Sequence, residues 1–301
     1  MKKLDGIIKQ AKSLIDAPYN QFNLDNYKEK LANAYNISIN FINTSSKAPI
    51  KLMSGQHKHA GIVYSNKRKS KKTIYLIGKG VLFDAGGYNL KSRMNTMKID
   101  MAGLAIAFGL ASYFGGDVVA YCPVATNFIH NNQIIPGDII QIGKKKVEIT
   151  NTDAEGRLIL AEALTTLDIE PNDIVVTIAT LTGAVEYAIG SRATGVFGNN
   201  LKLVTSYLQS SEKTRELSWR LPMWDYLQKK YFRKRIIKNH DSGGVDVLPG
   251  ATMGAMFIKQ FVKYPNNWLH LDIAGSAYDG IKKKTSGQPI KTLIEFIKRI
   301  R

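Results

Sequence analysis

The sequence predicts an α/β protein: a three-layer sandwich with a central, mostly parallel (mixed) sheet flanked by helices. Three observations carry that expectation. Runs of strand length alternate with segments of helical length along the chain. One run, residues 73–77, is apolar almost throughout, as in a strand buried on both faces. From there on the order is strand, glycine-rich loop, helix, and in such sheets the chemistry collects on loops beyond the strand carboxyl ends. With 301 residues, 44% hydrophobic and 22% charged, the composition is that of a globular chain and excludes disordered, collagenous and disulfide-stapled classes.

Taken in order, residues 2–17 and 24–35 read as helices, the second entered at Asn23, Leu24 and Asp25, with a turn at 17–20 between them. Residues 37–42 alternate, Ile37, Ile39 and Phe41 against Ser38 and Asn40, and read as a strand, as do residues 61–64. A loop at 43–46 separates these two strands, and 66–72 is a charged turn. Residues 78–87 read as a glycine-rich loop and 101–116 as a buried helix, its 16 uncharged residues too few for the roughly 20 that a bilayer span needs. Strands are expected at 118–124, 146–149, 173–180 and 268–273, and helices at 155–168, 222–238, 253–261 and 292–299. No element is assigned between 184 and 221. Residues 1–35 form a helical lead-in and 36–301 the main domain. The opening residues mix Lys2, Lys3 and Asp5 with short apolar runs and lack the apolar core of a signal peptide.

The chain carries 42 Lys and Arg against 24 Asp and Glu, a net charge of +18. Residues 1–72 hold 14 of the basic residues and only 4 of the acidic ones. A basic face can bind nucleic acid by releasing counterions. No zinc-finger, RNP or heptad pattern accompanies it, so solvated lysines are the favoured reading and nucleic acid the alternative. A single cysteine, Cys122, excludes an internal disulfide and any multi-cysteine zinc site.

Two loops hold the candidate chemistry. One runs from Gly78 through Lys79, Asp84 and Lys91 to Asp100; the other is Asn151-Thr-Asp-Ala-Glu-Gly-Arg-Leu158. Each follows a strand and precedes a helix. Together they bring Asp84, Asp100, Asp153 and Glu155 to what could be one rim of the sheet. Four packed carboxylates repel unless cations neutralise them, and oxygen-rich clusters suit one or two divalent metals. Blander readings stand beside this one. Thr152-x-x-Glu155 also fits a capping box, and Glu155 with Arg157 also fits a surface ion pair. The glycine spacing matches neither dinucleotide nor P-loop patterns.

Both loops resemble the signatures of the leucyl (cytosol) aminopeptidase family, the string NTDAEGRL most specifically. The resemblance runs from about residue 10 to the end. It includes AKSLIDAPYNQFN, ATLTGAVEYAIGSRATGVFGNN, WRLPMWDYL, WLHLDIAGSAYDG and SGQPIKTLIEFI, and leaves out the family's separate N-terminal domain. It implies a cytoplasmic metallo-exopeptidase that removes N-terminal leucine or other apolar residues from peptides. Lys79, Asp84, Asp100 and Glu155 would hold one metal, and Asp84, Asp153 and Glu155 a second, with a bridging water as nucleophile. The cofactors implied are two divalent ions, Mn²⁺ or Zn²⁺ with Co²⁺ or Mg²⁺ as alternatives, and a bicarbonate held by Arg157 as general base. The metal would have to depress Lys79 far below its ordinary pKa of about 10.4. Lys91 would stabilise the oxyanion. Met97, Thr180, Leu181 and Gly183 would contact substrate, and catalytic domains of the family pack as hexamers. His57, His59, His130, His240 and His270 match no metal position of the family and read as surface or structural. Between Lys91 and Asp100 the chain is about two residues shorter than the family pattern, and residues 238–253 match it loosely. Two rival readings of the same fold are a nucleic-acid-binding homologue and a metal-binding scaffold without turnover.

Overall fold

The computed structural model describes residues 2–66, 72–92, 94–241 and 247–301. Helices α1 (Lys2–Asp16) and α2 (Tyr27–Tyr35) lead into β1 (Ile39–Ile42), α3 (Pro49–Met53), β2 (Gly61–Ser65), β3 (Ile74–Gly78) and β4 (Gly80–Asp84). A 3-10 turn, Met97–Met101, opens α4 (Ala102–Phe114). Next come β5 (Val118–Asn127), β6 (Ile139–Ile142), β7 (Lys145–Glu148), α5 (Glu155–Thr166), β8 (Ile174–Ala179) and α6 (Ala184–Ile189). The chain continues through β9 (Thr194–Phe197), α7 (Leu201–Thr214), β10 (Ser218–Arg220), α8 (Asp225–Leu227), β11 (Ile236–Lys238) and α9 (Gly250–Lys259). It closes with β12 (Trp268–Asp272), the hairpin β13 (Tyr278–Asp279) and β14 (Lys284–Thr285), and α10 (Ile290–Ile300).

Among the described residues one sheet runs β1-β2-β5-β3-β8-β12-β9-β10, with β4 also paired to β5. Its centre, β5-β3-β8-β12, is parallel, and β4 runs parallel to β5. Antiparallel pairs lie outside it, at β1-β2, β2-β5 and β12-β9. The sheet is therefore mixed and mostly parallel, as expected. Every residue of β3, β5, β8 and β12 is buried, because helices cover both faces. Helix α4 packs on β3, β5 and β8 beneath α1, α2 and α10, while α5 packs on β3 and β5 beside α3 and α9. Ile7, Leu31 and Phe108 share one continuous core with Leu76 and Leu293.

Helix α4 fixes the site's position. Its small residues let it approach the sheet backbone closely. A Cβ on Gly78 would meet Gly103 O at 2.0 Å, and one on Gly103 would meet Ile178 O at 2.2 Å. Backbone bonds Leu104 N–H to Lys79 O (3.0 Å) and Lys79 N–H to Ile178 O (2.9 Å) close the seam. The stretch Met97–Phe114 is long and apolar enough to cross a membrane, but 72% of it is buried inside the protein. It is a core helix.

Four expectations differ from the structure. Residues 80–84 form β4 inside the expected loop: its flanking glycines mask a short apolar strand, and Gly80 is needed because a Cβ there would meet Pro123 O at 2.7 Å. Helix α2 starts at Tyr27, not at 24, because Asn23 and Asn26 side chains bond the local backbone and hold a turn. Residues 222–238 are not one helix. They divide into α8, a short π turn and β11, whose β-branched Ile236 and Ile237 pair in parallel with Lys146 and Val147 of β7. The unassigned stretch from 184 holds α6, β9, α7 and β10. Most of the charged turn at 66–72, and part of the loosely matching segment 238–253, lie outside the described residues.

Candidate metal centre

The parallel strands aim their carboxyl ends at one rim, and each delivers a polar side chain there. Lys79 follows β3, Asp84 ends β4, Asn127 ends β5, Thr180 follows β8 and Asp272 ends β12. Two helix N-termini complete the ring. The turn before α4 carries Asp100, and the start of α5 carries Asp153, Glu155 and Arg157. Carboxylates at helix N-termini meet unpaired N–H groups and the positive end of the dipole, which favours their charge.

Two ammonium groups divide the four carboxylates into pairs. Lys79 Nζ lies 2.6 Å from Asp100 Oδ2 and 2.7 Å from Glu155 Oε1, and donates to Thr180 O at 3.0 Å. Lys91 Nζ lies 2.9 Å from Asp84 Oδ2 and 2.5 Å from Asp153 Oδ1. Asp84 Oδ1 accepts from Asn127 Nδ2 and from the Gly86 N–H, both at 2.8 Å. Asp100 Oδ1 accepts from Thr180 Oγ1 at 2.6 Å. Lys79, Asp84, Asp100 and Glu155 are all buried.

Burial sets the electrostatics. It pushes Asp84 up to about 6, with Glu155 adding to the rise, and Glu155 up to about 7. Asp100 is raised for the same reason. Burial works against the Lys79 and Lys91 charges, but the surrounding carboxylates outweigh it and hold both ammoniums above the ordinary lysine range. Two positive charges thus face four carboxylates, leaving a negative surplus in a buried place, where charge is costly. Asp84, Asp100 and Glu155 each offer an oxygen within 4.8 Å of the others. Glu155 Oε2 is shielded from solvent and has no hydrogen-bond partner among the described residues. The donor set fits hard or borderline divalent cations.

The blander readings of the second loop do not hold. Helix α5 is capped at Ala154 with no side-chain bond. Thr152 instead ties the two loops: its Oγ1 donates to Gly86 O (2.7 Å) and accepts the Asn89 N–H (2.8 Å). Glu155 and Arg157 are buried, and Arg157 Nη1 donates to Asn239 O at 2.8 Å. Burial lowers the Arg157 pKa to about 10, still charged at neutral pH, and its Nε is buried without a partner among the described residues.

Of the expected substrate contacts, Thr180 is buried within the centre, Met97 and Leu181 are half-buried beside it in sequence, and Gly183 is exposed. Three residues that the sequence did not single out support the site. Asn127 links Asp84 to Thr152 O (3.1 Å) and is itself fixed by Gln133 Nε2 at 2.9 Å. Asp272 holds the 180–183 loop through Leu181 N–H (3.1 Å) and Thr182 Oγ1 (2.7 Å). Asn239 anchors Arg157. Asn127 and Asp272 end parallel strands, so the rule that sites lie beyond strand carboxyl ends could have found them; Asn239 lies in the loosely matching stretch and has no such signal.

A mixed, mostly parallel sheet between helices, with a lysine-bridged carboxylate centre at its carboxyl rim, defines a three-layer α/β protein equipped to hold divalent cations. The profile of the cytosol aminopeptidase family, catalytic domain, matches residues 9–294, and the chain belongs to that family. It is 34% identical over 290 residues to the "Probable cytosol aminopeptidase" of Nitrosomonas europaea, spanning 89% of this chain and 57% of that one. It is 36% identical over 259 residues to "Leucine aminopeptidase A1, chloroplastic" of Solanum lycopersicum, spanning 79% and 43%. The chain thus spans about half the length of these curated relatives. Among solved structures, "Bottromycin maturation enzyme BotP in complex with Mn" superposes with a TM-score of 0.85 at 26% identity, over 99% of this chain and 70% of that one.

Proposed function

We propose that the chain is a metal-dependent aminopeptidase that removes N-terminal residues, leucine or other apolar ones, from peptides. The observation that carries this reading is the pair of ammonium groups, each clamped between two carboxylates. Both lie among four carboxylates whose charge they do not fully balance, which supports the binding of divalent ions there. Lys79, once the metal displaces its proton, would join Asp84, Asp100 and Glu155 in holding one ion, and Asp84, Asp153 and Glu155 would hold the other. Bound there, divalent ions supply Lewis acidity and a water that ionises near neutral pH. Mn²⁺ and Zn²⁺ are the proposed ions, with Co²⁺ and Mg²⁺ as alternatives, since oxygen-rich sites discriminate weakly among them. The Mn complex of the structural neighbour supports Mn²⁺.

The chain's own groups divide the remaining work. Lys91, paired with Asp84 and Asp153, would serve as a positive charge for a developing oxyanion. Arg157, charged and with Nε unpartnered, suits a small anion such as bicarbonate, which would act as general base. Asp272 fixes the loop from Thr180 to Gly183, and that loop with Met97 would form the wall against the substrate's first side chain. The names of the curated relatives support a cytoplasmic location. By likeness to the family the active form would be a homo-oligomer, a hexamer.

Metal analysis coupled to activity tests the reading. Chelation should remove bound metal and abolish release of leucine from a leucine anilide, and Mn²⁺ or Zn²⁺ should restore both. Asp84→Ala and Glu155→Ala should lose both ions, while Asp100→Ala weakens mainly one. Full activity in a dialysed, metal-free sample refutes it.

A further inference from the structure

On another part of the molecule the turn before α2 meets the turn between α3 and β2, and there an aspartate faces two histidines. We propose that Asp25, His57 and His59 form a separate metal site that takes a borderline cation, Zn²⁺ foremost, through two imidazoles and one carboxylate. None of the three bonds to a residue of the carboxylate centre among the described residues.

The spacing is the first argument. One ligand atom from each residue lies within 4.8 Å of the other two. His57 Nε2 is 3.6 Å and His59 Nδ1 3.4 Å from Asp25 Oδ1. These separations exceed good hydrogen bonds. They match the distance of about 3.3–3.5 Å between neighbouring ligands on a tetrahedral zinc whose bonds are about 2.0–2.2 Å. Both imidazole–carboxylate separations are therefore close to coordination spacing, and all three ligand atoms lie within 4.8 Å of one another. Among the described residues His59 Nδ1 is shielded from solvent and makes no hydrogen bond, with Asp25 Oδ1 3.4 Å away.

The surroundings hold the ligands in place. Tyr27 OH donates to His59 O at 3.0 Å, and Lys51 Nζ donates to His57 O at 2.8 Å. The Asp25 N–H donates to Asn23 Oδ1 at 3.0 Å. His57 Nδ1 accepts a long bond of 3.3 Å from the His59 N–H. Coordination through Nε2 shifts the ring proton to Nδ1 and gives up that contact.

The ligand set also selects the ion. A single carboxylate beside Lys51 and Lys58 is a poor host for Mg²⁺ or Ca²⁺, which need several oxygens. Two imidazoles suit Zn²⁺, Ni²⁺ and Cu²⁺. Asp25 is 72% exposed, so an ion can enter from solvent and keep water in its fourth position. Once bound, it cross-links the entry of α2 to the turn before β2, pieces of chain distant in sequence.

The test compares Zn²⁺ content of the full chain, its carboxylate centre intact, with that of His57→Gln/His59→Gln at the same free Zn²⁺. The wild type should hold one more Zn²⁺ per chain, and equal contents overturn the proposal. Should the double variant fail to fold by circular dichroism, Asp25→Asn replaces it, with at least a tenfold weaker uptake of the same equivalent expected and unchanged uptake contradicting the site. Cu²⁺ as an EPR probe gives an independent reading. Coupling to two nitrogens should be present in the wild type and lost in the variant, and a wild-type spectrum without nitrogen coupling refutes the site.

Discussion

Gly156→Ala should separate function from folding. Gly156 is the second residue of α5, and a Cβ there would sit 2.6 Å from Lys79 Cε and 2.8 Å from both Cδ and Nζ. Carbon atoms rest about 3.5–4.0 Å apart, so the end of Lys79 must retreat by about 1 Å. It has nowhere to go without loss, because Nζ is already 2.6 Å from Asp100, 2.7 Å from Glu155 and 3.0 Å from Thr180 O. A displacement of that size at a reacting centre costs on the order of a hundredfold in rate. Stability moves much less. Alanine gains up to about 1 kcal/mol of helix propensity over glycine, against about 1–3 kcal/mol for overpacking. The assay is kcat/KM on a leucine anilide, with bound metal and the thermal midpoint measured on the same sample. The expected result is a rate loss of about a hundredfold or more, reduced metal content and a midpoint shifted by a few degrees. A variant within about threefold of wild-type activity, with full metal content, would refute the argument that Lys79 is held without slack.

Three further outcomes follow from the same geometry. Asn127→Ala strips partners from Asp84, Thr152 O and Gln133; each stranded buried group costs about 1–3 kcal/mol, so urea unfolding should report a loss of about 3 kcal/mol or more. Lys91→Ala should lower kcat by about a hundredfold with a smaller change in KM; a defect wholly in KM would contradict the oxyanion role. Glu162 is buried and its carboxyl is pushed up to about 7 from 4.5. Between those pH values the folded state keeps a proton that the unfolded state has lost, so stability falls as pH rises through the window. Glu162→Gln should remove that slope, gaining on the order of 3 kcal/mol relative to wild type at pH 8 but little at pH 4, as read by urea unfolding at both. Parallel pH profiles for the two proteins would contradict this.

The parts of the fold that announced themselves were those with strong local pattern. Helix α1, the all-apolar β3, and the small, uncharged α4 fall close to where periodicity puts them. The four carboxylates belong to two segments, 78–100 and 151–158, whose strand–loop–helix order already points them to one rim, and the structure does bring them together. What stayed hidden depends on partners distant in sequence. Asn127 meets Asp84 from 43 residues away, and Asp272 meets Leu181 from 91. Residues 222–238 carry a helical pattern that pairing with β7 overrides at Ile236 and Ile237. Strand β4 is five residues with three apolar ones, Val81 to Phe83, between glycines, too short for periodicity to register. His57 and His59 sit in a lysine-rich stretch and look like plain surface until Asp25 is placed opposite them.

The proposed activity of the carboxylate rim is removal of residues from a free N-terminus. It is tested most directly with one leucine-headed peptide and its N-acetylated twin. Each is incubated at length with Mn²⁺-reconstituted protein, with and without chelator, and followed by mass spectrometry. A free amine, unprotonated above a pKa of about 7.7–8.0, can ligate a metal, whereas an acetylated one is a planar amide that cannot. Stepwise loss of single residues from the free peptide, an intact acetylated peptide and no reaction in chelator are the expected results. Internal cleavage of the acetylated peptide at a comparable rate, or undiminished trimming of the free one in chelator, would contradict that activity.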